Sequence, residues 1–138
     1  MGTWSCTLLA IPSLLVAPGA AQAAAAEASR ENTLSVTCPT TLLGAVVQAI
    51  GGDRVEVDTL IPFGMCPGHF DLTPREAGKL GGADLILYQG FEHFLKGVEP
   101  GDGTRMVKTG VPGNWMVPTV HAQAVDRVRE LLSEARPS

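Results

Sequence analysis

The chain lacks the features of a nucleic-acid-binding protein, a disulfide scaffold or a membrane protein. Its 10 lysines and arginines form no cluster and the formal net charge is −4, so nucleic acid is not an expected partner. Three cysteines are too few for a disulfide-stapled scaffold. The apolar run at residues 8–16 is far shorter than the roughly 20 residues of a transmembrane helix. With 45% hydrophobic and 17% charged residues, the composition is that of one globular domain.

The sequence also lacks the short motifs of common enzyme centres. It contains no G-x-S-x-G nucleophile elbow, no paired carboxylates and no glycine-rich loop that cradles phosphate. A zinc hydrolase would carry a water-activating carboxylate beside its metal ligands, as in H-E-x-x-H, and the sequence has none. We therefore predict that the protein is not an enzyme.

The N-terminal residues 1–23 have the pattern of a secretory signal peptide. An apolar stretch is followed by small residues, and Ala21-Gln22-Ala23 fits the A-x-A cleavage rule, although no Lys or Arg precedes the apolar stretch. Cys6 lies before that stretch, too early to be a lipid-modified residue at its end. We expect a periplasmic or extracytoplasmic protein with a flexible N-terminus over residues 24–33. The alternative is an uncleaved alanine-rich tail.

Hydrophobic periodicity predicts strands that alternate with helices. Thr73, Pro74 and Glu76 have the spacing of a capping box with a proline start. Residues 91–98 are expected to form about two helical turns, and an amphipathic helix is expected from Thr119 onward. The predicted strands are residues 33–40, 54–61, 83–90 and 105–110. This order predicts an α/β fold with a four-stranded parallel sheet, helices on both faces and a long C-terminal helix.

Thiols and imidazoles follow three of the predicted strands. Cys38 ends the first strand, Cys66 and His69 follow the second, and His93 follows the third. In a parallel sheet the carboxyl ends of all strands lie at one edge, where ligands bind. We therefore predict a metal site formed by His69, Cys66, Cys38 and His93.

Each of these residues also has a simpler interpretation. His69 could be a surface-loop histidine and His93 a satisfied one beside Phe91 and Phe94. Cys66 could form a disulfide with Cys38 or remain a free thiol. A thiol redox protein is a weaker hypothesis, because the two cysteines form no C-x-x-C motif.

A long segment resembles a known family. The stretch "VTCPTTLLGAVVQAIGGDRVEVDTLIPFGMCPGHFDLTPREAGKLGGADLILYQGFEHFL" resembles the N-terminal lobe of the solute-binding proteins of zinc and manganese ABC transporters. "PGHFDLTP" matches a family segment in which a histidine precedes a Thr-Pro helix start, and "GGADLILYQG" matches the third strand. The resemblance covers residues 34–118.

The resemblance implies a two-lobed protein that holds a metal between its lobes. Residues 34–118 would be one metal-binding lobe, and residues 119–138 would begin the helix that connects the lobes. His69 would be the first ligand, whereas the family's second histidine position is Gly113, close to the retained Trp115.

The implied partners are a metal ion and a membrane permease. A second lobe, or self-association through the face that would meet it, is a further expectation. A Cys/His ligand set favours Zn(II), with Cu(I) and Mn(II) as alternatives. We expect a fragment or single-lobe version of the transport protein. The alternative is a metal-free interaction module or a non-functional truncated paralogue.

Overall fold

The computed structural model describes residues 33–135. The predicted signal peptide (1–23) and residues 24–32 lie outside that range. Within that range, four strands and three α-helices follow one another in this order: β1 Leu34–Cys38, α1 Thr41–Gly51, β2 Val55–Thr59, α2 Pro74–Gly81, β3 Leu85–Tyr88, β4 Arg105–Lys108 and α3 Pro118–Ala135.

All pairings within the sheet are parallel, and the strand order is β2-β1-β3-β4. The predicted four-stranded parallel sheet is therefore confirmed. Strand β3, "LILY", is apolar at every position, as expected for a strand covered on both faces. The chain leaves β1 toward β2 on one side and returns to β3 on the other, so the turns after β1 and β3 meet at the switch point where such sheets bind ligands.

The two faces of the sheet have separate apolar cores, which confirms that structure covers both. Helices α1 and α3 pack on one face, and helix α2 lies on the other together with the segments that follow β2 and β3. The first core contains Val36, Cys38, Leu43, Val46, Val47, Val55, Leu85, Leu87, Trp115, Ala124, Val128, Leu131 and Leu132. The second contains Leu60, Ile61, Phe70, Leu80, Ala83, Ile86 and Leu95.

Helix boundaries follow the expected residues, with one correction. The Thr40 hydroxyl accepts a hydrogen bond from Leu43 N at 3.4 Å at the start of α1, and Gly52 ends that helix with φ 56°. Thr73 is the N-cap of α2, but its side chain makes no capping bond. The predicted capping box is therefore wrong, because its hydrogen bond from the Thr73 side chain is absent. The proline at the first helical position begins the helix without that bond.

Residues 91–98 do not form the predicted two helical turns. Only a single 3₁₀ turn, His93–Leu95, is present. The Glu92 carboxylate accepts hydrogen bonds from Gln89 N at 2.9 Å and Gly90 N at 2.5 Å, and Gly97 adopts φ 80°. These features hold the segment as consecutive turns, because the chain must bend back toward β4 rather than continue as a helix.

Across residues 33–135 no helix has both the length and the apolar character needed to cross a membrane.

Candidate metal site

Cys66 and His69 lie at the two ends of one tight turn after β2. Pro67–His69 forms a 3₁₀ turn, and His69 N donates a hydrogen bond to Cys66 O at 3.1 Å. Both side chains are exposed. A turn closed in this way keeps its first and fourth Cα atoms within about 7 Å. The thiol and the imidazole are therefore presented to solvent from neighbouring positions.

The two residues in the middle of this turn, Pro67 and Gly68, leave space for the Cys66 thiol and the His69 imidazole. Pro67 restricts the backbone at the first turn position. Gly68 has no side chain, and a Cβ added there would lie 3.9 Å from Cys66 Sγ. The Cys66 sulfur therefore lies back over the turn rather than extending away from it. The two-residue spacing is also that of the paired ligands in many zinc sites.

The segment that carries His93 packs against the segment that carries His69. The Phe70 and Phe94 rings meet edge-on, with centroids 4.8 Å apart and an interplanar angle of 73°. Each ring belongs to the residue that follows one of the two histidines. Phe70 is buried while His69 and His93 are exposed, so the aromatic pair anchors both segments and leaves both imidazoles in solvent.

Glu92 is a site residue that sequence reasoning missed. Its side chain is 5% exposed, and its two carboxylate oxygens accept the Gln89 and Gly90 amides. This holds the turn after β3 that leads directly into His93. The sequence signal was the glycine three positions after the buried strand residues, where a sharp turn leaves backbone amides without partners in the strand ladder.

Cys38 does not reach the edge of the sheet, which corrects its predicted place beside the other ligands. It is 0% exposed and belongs to the core under α1 and α3. Burial raises the pKa of its thiol from 9.0 to about 12, so the group stays protonated at neutral pH. Successive strand residues point to opposite faces, and Cys38 therefore shares the buried face of Val36. Both Cys38 and Cys66 are free thiols, so they form no disulfide.

The remaining predicted ligands do not form a complete cage. No group of three His, Cys, Asp or Glu side chains that could hold a metal occurs between residues 33 and 135. The position that the family resemblance assigns to a second histidine is Gly113, which has φ 100°. This backbone conformation favours glycine and strains other residues. Within residues 33–135, the candidate metal ligands are therefore Cys66 and His69 on one turn, and His93 on the segment that packs against it.

Several exposed apolar side chains lie in the turns that follow the strands. Phe63 is 95% and Met116 75% exposed, although both are large and apolar. The exposed large apolar residues of the described range all lie in turns that follow β2, β3 or β4: Phe63, Met65, Phe91, Met116 and Val117. We call this set, with Cys66, His69 and His93, the carboxyl rim. An apolar surface of this kind is typical of a binding or interaction site.

Comparison with known proteins identifies metal transport proteins as relatives. A stretch of 62 residues is 31% identical to the manganese ABC transporter substrate-binding lipoprotein PsaA of Streptococcus pneumoniae and covers 45% of this chain. A stretch of 90 residues is 27% identical to the metal ABC transporter substrate-binding lipoprotein SsaB of Streptococcus sanguinis and covers 65% of this chain. These matches span 20% and 28% of the two relatives' own lengths.

Solved structures share the fold. The metal-dependent lipoprotein YcdH of Bacillus subtilis superimposes with a TM-score of 0.68 at 20% identity, over 76% of this chain and 46% of YcdH. Zn(II)-bound AdcA of Streptococcus pneumoniae gives a TM-score of 0.65 at 21% identity, over 76% of this chain and 27% of AdcA. The profile of the family described as zinc-uptake complex component A, periplasmic (ZnuA) matches residues 36–138. The chain therefore belongs to the ZnuA family.

Proposed function

We propose that the protein is the metal-binding, solute-binding component of an ABC transporter, that it acts outside the cytoplasm and is not an enzyme, and that Zn(II) is its ion. Membership of the ZnuA family supports this role. The names of its relatives, which specify manganese, iron or metal transport, support a transition-metal ion as cargo. The corresponding partner is the membrane permease that receives the ion.

His69 is the ligand on which this proposal depends most. The single observation that carries the proposal is the exposed His69 imidazole, which lies on the tight turn after β2 at the carboxyl edge of the parallel sheet. A neutral imidazole is a common metal ligand. Cys66 is the second proposed ligand because it closes the same turn. His93 lies on the segment that packs against that turn through Phe94, but it forms no three-ligand group with Cys66 and His69 within the described residues.

Cys66 supports Zn(II) over Mn(II) as the ion. Thiolate is a soft ligand that suits Zn(II) and Cu(I), whereas Mn(II) prefers carboxylate, carbonyl and water oxygens. Cu(I) remains the alternative that the same ligand pair would accept. Because residues 33–135 hold no group of three ligands, we propose that the other donors of a tight site come from outside this lobe.

The test is a Zn(II) titration of the metal-free protein by competition with a chromophoric chelator. We expect His69→Ala to weaken Zn(II) binding by more than about 100-fold, because even residues that merely orient a ligand contribute about 10–100-fold. His121→Ala is the matched control, since it removes an imidazole from the first turns of α3 without touching the turn after β2. Equal affinities for the His69→Ala variant and the unmodified chain would contradict the proposal.

A second titration compares Zn(II) with the alternative ions Mn(II) and Cu(I). We expect Mn(II) to compete poorly with Zn(II) for the unmodified chain and to gain relative to Zn(II) in Cys66→Ser. A chain that binds none of Zn(II), Cu(I) or Mn(II) would instead support the metal-free interaction module.

A further inference from the structure

We infer that Phe94, on the segment after β3, is a positioning residue for the His69 imidazole. The Phe94 ring holds the Phe70 ring, and Phe70 holds the turn that carries His69. The importance of this positioning for metal binding rests on the proposed function, in which His69 is a ligand. The inference adds that a different segment of the chain fixes where that ligand stands.

The loop that carries His69 lies mostly in solvent. Residues 62–69 are all exposed apart from the half-buried Pro67. His69 N donates a hydrogen bond to Cys66 O at 3.1 Å, which closes a turn inside the loop. This bond shapes the loop but does not attach it to the rest of the lobe. The position of the imidazole therefore depends on the residues that flank the loop.

Phe70 is the anchor at the histidine end of this loop. It is 8% exposed, and its ring meets the Phe94 ring edge-on, with centroids 4.8 Å apart and an interplanar angle of 73°. Phe70 follows His69 directly, so a displacement of the Phe70 ring moves the backbone from which the imidazole extends. The buried residue at the other end, Ile61, lies eight positions before His69 and is separated from it by exposed chain.

The segment that carries Phe94 is held on both sides of that residue. Before it, the Glu92 carboxylate accepts hydrogen bonds from Gln89 N at 2.9 Å and Gly90 N at 2.5 Å. After it, Leu95 is buried in the second core, and its amide donates to Glu92 O at 3.2 Å. The contact between the two rings therefore attaches an exposed loop to a fixed segment.

A histidine that is held in place binds a metal more tightly than a mobile one. A group that is ordered only on binding loses part of the interaction free energy to conformational entropy. An edge-to-face contact between aromatic rings has a preferred geometry, so it restricts the direction as well as the distance of the loop. Residues that orient a metal ligand contribute about 10–100-fold to metal affinity. We therefore expect loss of the Phe94 ring to weaken Zn(II) binding by about 10-fold.

Nuclear magnetic relaxation of the backbone amides in the metal-free full chain tests the positioning. We expect an order parameter of about 0.85 at His69 in the unmodified chain and below about 0.6 in Phe94→Ala, the values of rigid and flexible backbone. Phe94→Tyr keeps the ring and should keep the rigid value. Val98→Ala is the matched control, because it removes apolar contacts from the same segment and the same core but leaves both rings.

Phe94→Leu is a second variant in case Phe94→Ala does not fold. It keeps most of the apolar volume, which cores tolerate best, and removes the ring, and circular dichroism checks its fold. His69 should be flexible in this variant too. A His69 amide that stays rigid in the folded variants without the ring, or that is already flexible in the unmodified chain, would overturn the inference.

Zn(II) titration of the same variants separates this inference from the proposed function. Phe94→Ala should bind Zn(II) about 10-fold more weakly, whereas Phe94→Tyr and Val98→Ala should bind it like the unmodified chain. Zn(II) binding through His69 at an affinity that Phe94→Ala leaves unchanged would overturn the inference and leave the proposed metal carrier standing. A chain that binds no Zn(II) but shows the expected order parameters would contradict the proposed function and leave the positioning of His69 by Phe94 standing.

Discussion

The two cysteines of the described lobe lie in opposite environments. Cys38 ends β1 and is sealed under α1 and α3, whereas Cys66 begins the turn after β2 and is exposed. A strand residue must face one of the two helical layers, and Cys38 faces the layer that also buries Val36. A turn residue is free of that alternation and can point past the edge of the sheet. In this fold, the exposed thiol therefore belongs to a turn after a strand, and the thiol at the strand end is buried.

The contrast extends to the apolar side chains of the two regions. Leu43 and Val47 are completely buried between α1 and the sheet, while Phe63 and Met116 at the rim are mostly exposed. The first region provides stability. The carboxyl rim leaves apolar side chains exposed to water, and this exposure forgoes the stabilisation that burial would give. Exposed apolar surface of this kind indicates a surface for a partner.

The largest expected effect is a difference in reactivity between the two thiols. We expect iodoacetamide to modify Cys66 in the native protein at least about 1,000-fold faster than Cys38, because Cys38 is reached only in the small fraction of molecules that unfold. Alkylation followed by peptide mass mapping assigns each rate. Zn(II) should slow the reaction of Cys66 alone. Similar rates at the two thiols in native protein would break the contrast between core and rim.

Replacing one apolar residue from each region with alanine should show which region stabilises the folded protein. Leu43→Ala should lower the free energy of unfolding by about 2–5 kcal/mol, because it removes buried contacts and leaves a cavity. Phe63→Ala should change it by less than about 0.5 kcal/mol, as is usual for exposed positions. Urea unfolding followed by circular dichroism measures both. A large loss of stability in Phe63→Ala would mean that the rim is part of the core.

The last expected effect is a dependence of stability on alkaline pH. The pKa of Cys38 is raised from 9.0 to about 12 in the folded protein. Above pH 9 the unfolded chain loses this proton while the folded chain keeps it, so stability present below pH 9 is lost as pH rises toward 12. The slope from this group approaches about 1.4 kcal/mol per pH unit.

Cys38→Ala isolates that contribution from the other groups that titrate at high pH. Urea midpoints at pH 8, 9.5 and 10.5 should fall more steeply for the unmodified chain than for Cys38→Ala, and a Cys66→Ala control should follow the unmodified chain. Parallel curves for the unmodified chain and Cys38→Ala would show that this thiol ionises equally in both states.

The sequence predicted the order of elements and the parallel sheet because these depend on local periodicity. Apolar spacing identified α1 and α3, the apolar run identified β3, and Thr73-Pro74 marked the start of α2. The exposed turn with Cys66 and His69 also follows from the sequence, since Pro67 and Gly68 interrupt both helix and strand patterns.

The rest depends on contacts that local patterns do not contain. Cys38 was predicted at the edge because it ends β1, although its alternation with Val36 already indicated the buried face. Residues 91–98 were predicted as helix because their spacing allows it, but the buried Glu92 carboxylate holds the chain back toward Gln89. The packing of Phe70 on Phe94, which joins the two histidine segments, required the tertiary structure.

The most direct test of metal binding at the rim is the absorption spectrum of the protein loaded with Co(II) in place of Zn(II). We predict a near-ultraviolet thiolate-to-cobalt charge-transfer band that disappears in Cys66→Ser and persists in Cys38→Ala. A spectrum without that band, or a band that survives the loss of Cys66, would contradict the assignment of the ion to the turn after β2.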